Sequence, residues 1–186
     1  MMELGKRLKR ITSQLTRNMS GAVAVETALI MAALSGAFIF AVPDLSNFYR
    51  ASSQLNRATQ LTTDLIGSLG NSLNATTVSQ AFLLTDWAMQ PFSSNELSAR
   101  VDAFILDGAN ARLAWTKSRL RTCNPPAVTP AVIKPLFPPG NASVTVLVVT
   151  TCYRAYSVTG FLPTQDLVSR YPQIARFGEV KCDSCS

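Results

Sequence analysis

From Ala22 to Val42 the chain runs apolar for 21 residues, with Glu26 as the only charged side chain. At 1.5 Å rise per residue such a helix reaches about 30 Å, the thickness of a bilayer's hydrocarbon core. The run has no polar periodicity of the kind that marks a helix lying on a soluble core, so its length and pattern predict a membrane span. Pro43 and Asp44 close it.

Beyond Asp44 the pattern changes. Phe48, Ala51, Leu55, Ala58, Thr62, Leu65 and Leu69 recur at alternating spacings of three and four, while Arg50, Gln54, Arg57 and Asp64 fall elsewhere. This is an amphipathic stripe with Gly67 and Gly70 as stops, and it predicts a helix over 45–69. Span and stripe are expected to form one long helix, kinked where Pro43 removes a backbone donor.

The remaining chain predicts a modest α+β domain in which a small antiparallel sheet packs on helix. Asn71–Thr77 reads as a loop, followed by a short helix through Met89 capped at Thr76 or Ser79. Pro91–Asn95 is a break, and Glu96–Asp107 reads as a second helix with Leu97, Val101, Phe104 and Ile105 on one face. Asp107-Gly108-Ala109-Asn110 is a turn. Arg112–Arg121 and Ser143–Tyr156 read as strands, the second rich in β-branched and aromatic residues, and Tyr171–Val180 as a weaker edge. Asn124–Gly140, with six prolines, reads as a long irregular loop. The organisation expected is therefore a basic leader over 1–21, a transmembrane helix over 22–43, an amphipathic extension over 44–70 and an exported α+β domain over 71–186.

Charge changes the picture by its distribution. The formal net charge is +6, from 17 basic and 11 acidic side chains. Lys6, Arg7, Lys9, Arg10 and Arg17 stand before the apolar run against Glu3 alone, which leaves only +2 for everything after residue 21. The excess charge therefore reports topology: the basic end stays cytoplasmic and the chain beyond Asp44 lies across the membrane. A near-neutral domain lacks the footprint needed to follow a phosphate backbone, so no nucleic-acid partner is expected. A removable secretory signal also combines basic residues with an apolar run. This run is longer than the usual 7–15 residues and contains a glutamate, and Ala41–Asp44 offers no small-x-small cleavage site.

Gly21 followed five positions later by Glu26 resembles the processing site of type IV prepilins. The wider match is Gly21-Ala22-Val23-Ala24-Val25-Glu26-Thr27-Ala28-Leu29-Ile30, together with Asp44-Leu45-Ser46-Asn47-Phe48-Tyr49-Arg50-Ala51 and the Ser/Gln/Arg-containing run to Ala58. It resembles the TadE/TadF family, pseudopilin-like proteins of tight-adherence (Flp-type) pilus systems. The resemblance covers about residues 17–66, and Thr27 stands where many members carry Phe or Tyr. It implies a bacterial inner-membrane protein with its C-terminal domain in the periplasm. It implies cleavage between Gly21 and Ala22 by a prepilin peptidase, and other pilin or pseudopilin subunits as partners. It also implies a role for Glu26, whose carboxylate would meet the freed N-terminal amine of a neighbouring subunit. Snorkelling of Glu26 to the cytoplasmic face is the plainer alternative.

Cys123, Cys152, Cys182 and Cys185 all follow the span. An exported domain of this size with an even cysteine count is expected to hold disulfides. Their pairing stays open between Cys123–Cys152 with Cys182–Cys185 and pairings that tie the tail to the domain. A simple hairpin of the two predicted strands would place Cys123 well away from Cys152. Zinc would need all four cysteines as ligands, since the chain has no histidine. That absence also removes Ser-His-Asp and Cys-His machinery, and no glycine-rich phosphate loop occurs. No enzyme activity, cofactor or metal is expected. An uncleaved, membrane-tethered module recruiting an extracytoplasmic ligand, and a thiol enzyme built on Cys182 and Cys185, are the competing functional readings.

Overall fold

A computed structural model describes residues 2–70, 72–139, 144–176 and 178–185, with the backbone alone at residues 2–20, Ala22 and Ala24. Of the predicted segments, Asn71, Gly140, Ser143 and Phe177 fall outside the described residues.

Helix α1 (Met2–Ser68) is 67 residues long and continues through Pro43, so span and stripe are one element. Its two parts have opposite surroundings. From Phe48 to Ile66 it buries Phe48, Ala51, Leu55, Ala58, Thr59, Thr62, Thr63 and Ile66. The stripe follows the predicted positions to Thr62 and then passes to Ile66, leaving Leu69 exposed. The buried threonines of α1 all find hydrogen-bond partners, two of them twice over. Thr59, Thr62 and Thr63 each lie within bonding distance of the carbonyl four residues back. Thr59 also meets Thr151 at 2.5 Å, and Thr62 meets Thr85 at 2.7 Å. Paired hydroxyls of this kind remove the penalty of burying polar groups between helix and sheet.

A three-residue strand, β1 (Ser72–Asn74), leads into α2 (Ala75–Ala88). Asn74 caps α2, its Oδ1 accepting from the Thr77 amide at 2.7 Å and the Thr77 hydroxyl at 2.8 Å. The predicted caps, Thr76 and Ser79, lie inside the helix instead. Asn is a stronger cap than Thr because its short amide reaches the first free N–H groups.

The main sheet has four antiparallel strands: β2 (Leu97–Asp107), β3 (Asn110–Arg119), β4 (Thr145–Ala155) and β5 (Gln165–Ile174), in the order β3-β2-β4-β5. The helix expected over Glu96–Asp107 is thus a central strand. Its register shows why the helical reading failed. Leu97, Ala99, Val101 and Ala103 sit in the clusters under the helices, whereas Phe104 packs on the opposite side. Apolar and polar residues alternate from Leu97 to Ala103, but the register shifts at a bulge between Ala103 and Phe104, so that Phe104 and Ile105 fall at helical spacing from Leu97 and Val101 and imitate one stripe. The predicted edge also shifts: β5 begins at Gln165 and ends at Ile174.

One sheet face carries α1 and α2. The other is covered by the proline-rich segment, which is more than a loop. It holds a helical turn, α3 (Pro130–Ile133), and a 3-10 turn, Lys134–Leu136. Val128, Ile133 and Phe137 from this segment close over Phe104, Val146 and Val148. Strand β6 (Lys181–Asp183) runs parallel to β1, with Leu73 opposite Cys182. The tail therefore lies beside the turn between the two long helices. The amphipathic extension and the following residues accordingly share one core, and 44–68 belongs to the domain it was expected to precede.

Candidate functional site

The apolar part of α1 is bare. Val25, Leu29, Ile30, Met31, Leu34, Phe38, Ile39, Phe40 and Val42 are each more than half exposed. The most apolar window has a mean hydropathy of 2.0, and none of it is buried. By length and composition this helix can cross a membrane. The burial expected of a soluble protein's core helix is missing here. Exposed apolar surface on this scale marks contact with lipid or with other chains.

Glu26 stands on this bare stretch, exposed. Among the described residues no cation of the chain pairs with it. Thr27 beside it turns its hydroxyl back to the Val23 carbonyl at 2.7 Å, so the threonine's polarity is met within the helix. Gly21 lies within α1, about 7 Å along the axis from Glu26. A Cβ placed at Gly21 would meet nothing within 4 Å. Ala22 continues the helical backbone, and its side chain lies outside the described residues.

Asp44, at the opposite end of the apolar run, is the best-built polar site of the molecule. Its side chain is fully buried by the connection between β4 and β5. Oδ1 accepts from the amides of Val158 at 2.7 Å and Thr159 at 2.9 Å. Oδ2 accepts from the Ser157 hydroxyl at 2.5 Å, the Thr159 hydroxyl at 2.7 Å and the Leu162 amide at 3.2 Å. Burial pushes this carboxyl up, but the bonds from Ser157, Thr159 and Val158 outweigh it and hold the group well below the usual carboxylate range. A carboxylate ringed by donors stays charged and fixes the loop to the helix. Sequence reasoning treated Asp44 only as the acid that ends the span. The available signal was an Asp directly after Pro43, with Ser157 and Thr159 flanking a turn after the strongest strand.

Asp102 and Asp86 are anchored by arginines within the domain. Asp102 accepts both from Arg100 Nε, at 2.8 and 3.0 Å, and from the Thr116 hydroxyl at 2.7 Å. Asp86 on α2 takes a forked pair of bonds from Arg119 on β3 at 2.6 and 3.0 Å. The Asp102–Thr116 bond links β2 to β3 and the Asp86–Arg119 pair links α2 to β3, and the spacing of Asp102 and Asp107 along a strand gives no facing carboxylate pair.

The cysteines pair as Cys123–Cys152 and Cys182–Cys185. The expected obstacle to the first pairing disappears because β2 lies between β3 and β4. After β3 the chain crosses back over the end of β2, and Cys123 reaches the far end of β4. The tail is held to the domain by the pairing of β6 with β1 and by burial of Cys185. Among the described residues no cluster of three or more His, Cys, Asp or Glu side chains is placed to hold a metal ion.

Comparison with known proteins gives no match: no family model fits the chain, and no curated protein or solved structure resembles it significantly.

Proposed function

We propose that the chain is a bitopic, pseudopilin-like membrane protein that supports assembly of a tight-adherence (type IVb/Flp) pilus. The leader stays in the cytoplasm, residues 22–43 cross the inner membrane, and the disulfide-bonded domain lies in the periplasm. The observation that carries the reading is the bare apolar half of α1 with an exposed Glu26 upon it, close behind Gly21. A carboxylate at membrane depth costs roughly 2.5–3.5 kcal/mol on insertion scales, and a nearby ammonium offsets that cost. Cleavage after Gly21 creates such an ammonium on Ala22 of each subunit. In a bundle of like helices, one subunit's amine then meets its neighbour's Glu26. The two disulfides support an oxidising compartment for the domain.

The testing experiment is N-terminal sequencing of the mature protein from cells that contain a prepilin peptidase. The expected first residue is Ala22. Gly21→Leu blocks processing and leaves insertion intact, because the helix has open space at this position. A wild-type protein that retains residues 1–20 refutes the processing step.

A further inference from the structure

The connection between β4 and β5 is pinned to the helix at the mouth of the apolar run. The Thr159 hydroxyl lies 2.7 Å from Asp44 Oδ2 and 3.2 Å from the carbonyl oxygen of Phe40, and its single proton serves one at a time. The loop thus reaches the last turn of the apolar stretch. Two of its side chains are apolar and turned outward: Val158 is 68% exposed and Phe161 is 53% exposed. On the helix at the same level, Leu45 and Tyr49 are also exposed. Leu162, between these outward residues and β5, packs inward against the cluster of Phe48 and Leu97, so the loop is seated and its tip is presented.

We infer that Ser157–Leu162 is a second membrane contact, with Val158 and Phe161 inserted at the headgroup–acyl boundary of the outer face of the membrane. The occupant is lipid because Phe40 and Asp44 hold the loop where the exposed apolar half of α1 ends, and Val158 and Phe161 add exposed apolar side chains there. Aromatic and aliphatic side chains at this level, Tyr49 and Phe161 among them, suit the interface where apolar bodies meet hydrated headgroups. The donors that surround Asp44 make the loop a rigid bracket. A helix alone leaves its domain free to tilt relative to the membrane plane, whereas a helix with a bracket at its exit fixes which face of the domain looks towards the bilayer. The buried Phe48 then marks the inner wall of the bracket and the exposed Tyr49 its outer rim. This inference rests on the reading of 22–43 as a membrane span, and the experiment separates the two.

Full-length protein is reconstituted into phosphatidylcholine vesicles in which the lipid is brominated either near the headgroup or near the chain ends. Tryptophan emission of Phe161→Trp, Val158→Trp and Leu34→Trp is compared with that of the wild-type chain, whose Trp87 and Trp115 supply the baseline. Trp87 is exposed and lines a surface hollow with Arg57 and Leu61, about 20 Å or more beyond Asp44 along the helix. The expected result is loss of most of the added emission from Phe161→Trp and Val158→Trp with headgroup-proximal bromine, and of Leu34→Trp with chain-end bromine. If Leu34→Trp is quenched and neither loop variant is, the bracket is overturned and the span stands. If Leu34→Trp is not quenched, the span is overturned and the bracket with it. Non-reducing peptide mapping of the Cys123–Cys152 bridge shows that each variant has folded, and two independent loop positions keep the test decisive if one does not.

Discussion

Cutting the bridge between Cys123 and Cys152 should cost far more stability than cutting the one between Cys182 and Cys185. The first closes a chain separation of 29 residues and the second a separation of 3. In the chain-entropy account these loops correspond to about 3.5 and about 1.5 kcal/mol at room temperature. The larger figure is a substantial part of the roughly 5–15 kcal/mol by which a domain is usually stable. The structure also says where the loss appears first. Cys123 opens the proline-rich segment, and that segment's Val128, Ile133 and Phe137 cover Phe104, Val146 and Val148. Without the bridge the cover is tethered to the sheet less firmly, so it should loosen before the helix face does. The perturbation is Cys123→Ala with Cys152→Ala, set against Cys182→Ala with Cys185→Ala, each in the full chain in detergent. Denaturant unfolding read from the buried Trp115 gives the stability difference, and limited proteolysis within 124–139 reads the cover. The expected outcome is a gap of about 2 kcal/mol between the two pairs, with early cleavage in the first pair alone. Equal losses, or a larger loss from the tail pair, would refute the reasoning. So would a peptide map of the wild-type protein that links Cys182 or Cys185 to Cys123 or Cys152.

Leu55→Ala, at a position 1% exposed, should lower domain stability by about 2–4 kcal/mol, while Leu34→Ala on the bare helix should leave it unchanged in the same unfolding assay. Asp44 supplies a pH dependence. Its folded-state pKa lies below the unfolded value of about 3.9, so its contribution is fully present above that value and is lost as pH falls below it. Loop attachment should therefore hold at pH 5 and weaken below about pH 4, with Asp44→Asn already weakened at neutral pH and insensitive to acid. Hydrogen exchange at the Val158 and Thr159 amides reads both effects.

The helical periodicity of 45–69 and the β-branched run of 144–156 could be read directly, because each element presents one dominant pattern. α1 faces the domain along one stripe, and β4 opens with the apolar run Val146–Val149 and is buried over nearly its whole length. The strand over Leu97–Asp107 was hidden by the bulge at Ala103/Phe104, which ends the two-residue alternation of Leu97–Ala103 and leaves Leu97, Val101, Phe104 and Ile105 at helical spacing. The proline-rich segment was hidden because its cover of Phe104, Val146 and Val148 depends on a sheet assembled from residues far away in sequence. The cysteine pairing turned on strand order: with β2 inserted between β3 and β4, a pairing awkward for a hairpin became a natural one. Of the site itself, Gly21 and Glu26 stand out from sequence by their setting in an apolar run. Asp44 does not, because its donors come from residues 157–162, more than a hundred positions later.

The pseudopilin reading meets its most direct test at Glu26. Glu26→Gln keeps the side chain's volume and removes its charge, so it should ease solitary insertion slightly while leaving a neighbour's amine without its counter-charge. Losing one partner of a buried ion pair commonly costs about 3–5 kcal/mol. Pili are counted by electron microscopy in cells that make the variant at the wild-type protein level. The account predicts few or no pili; wild-type pilus numbers would contradict it and leave Glu26 as a residue that only snorkels to the cytoplasmic face.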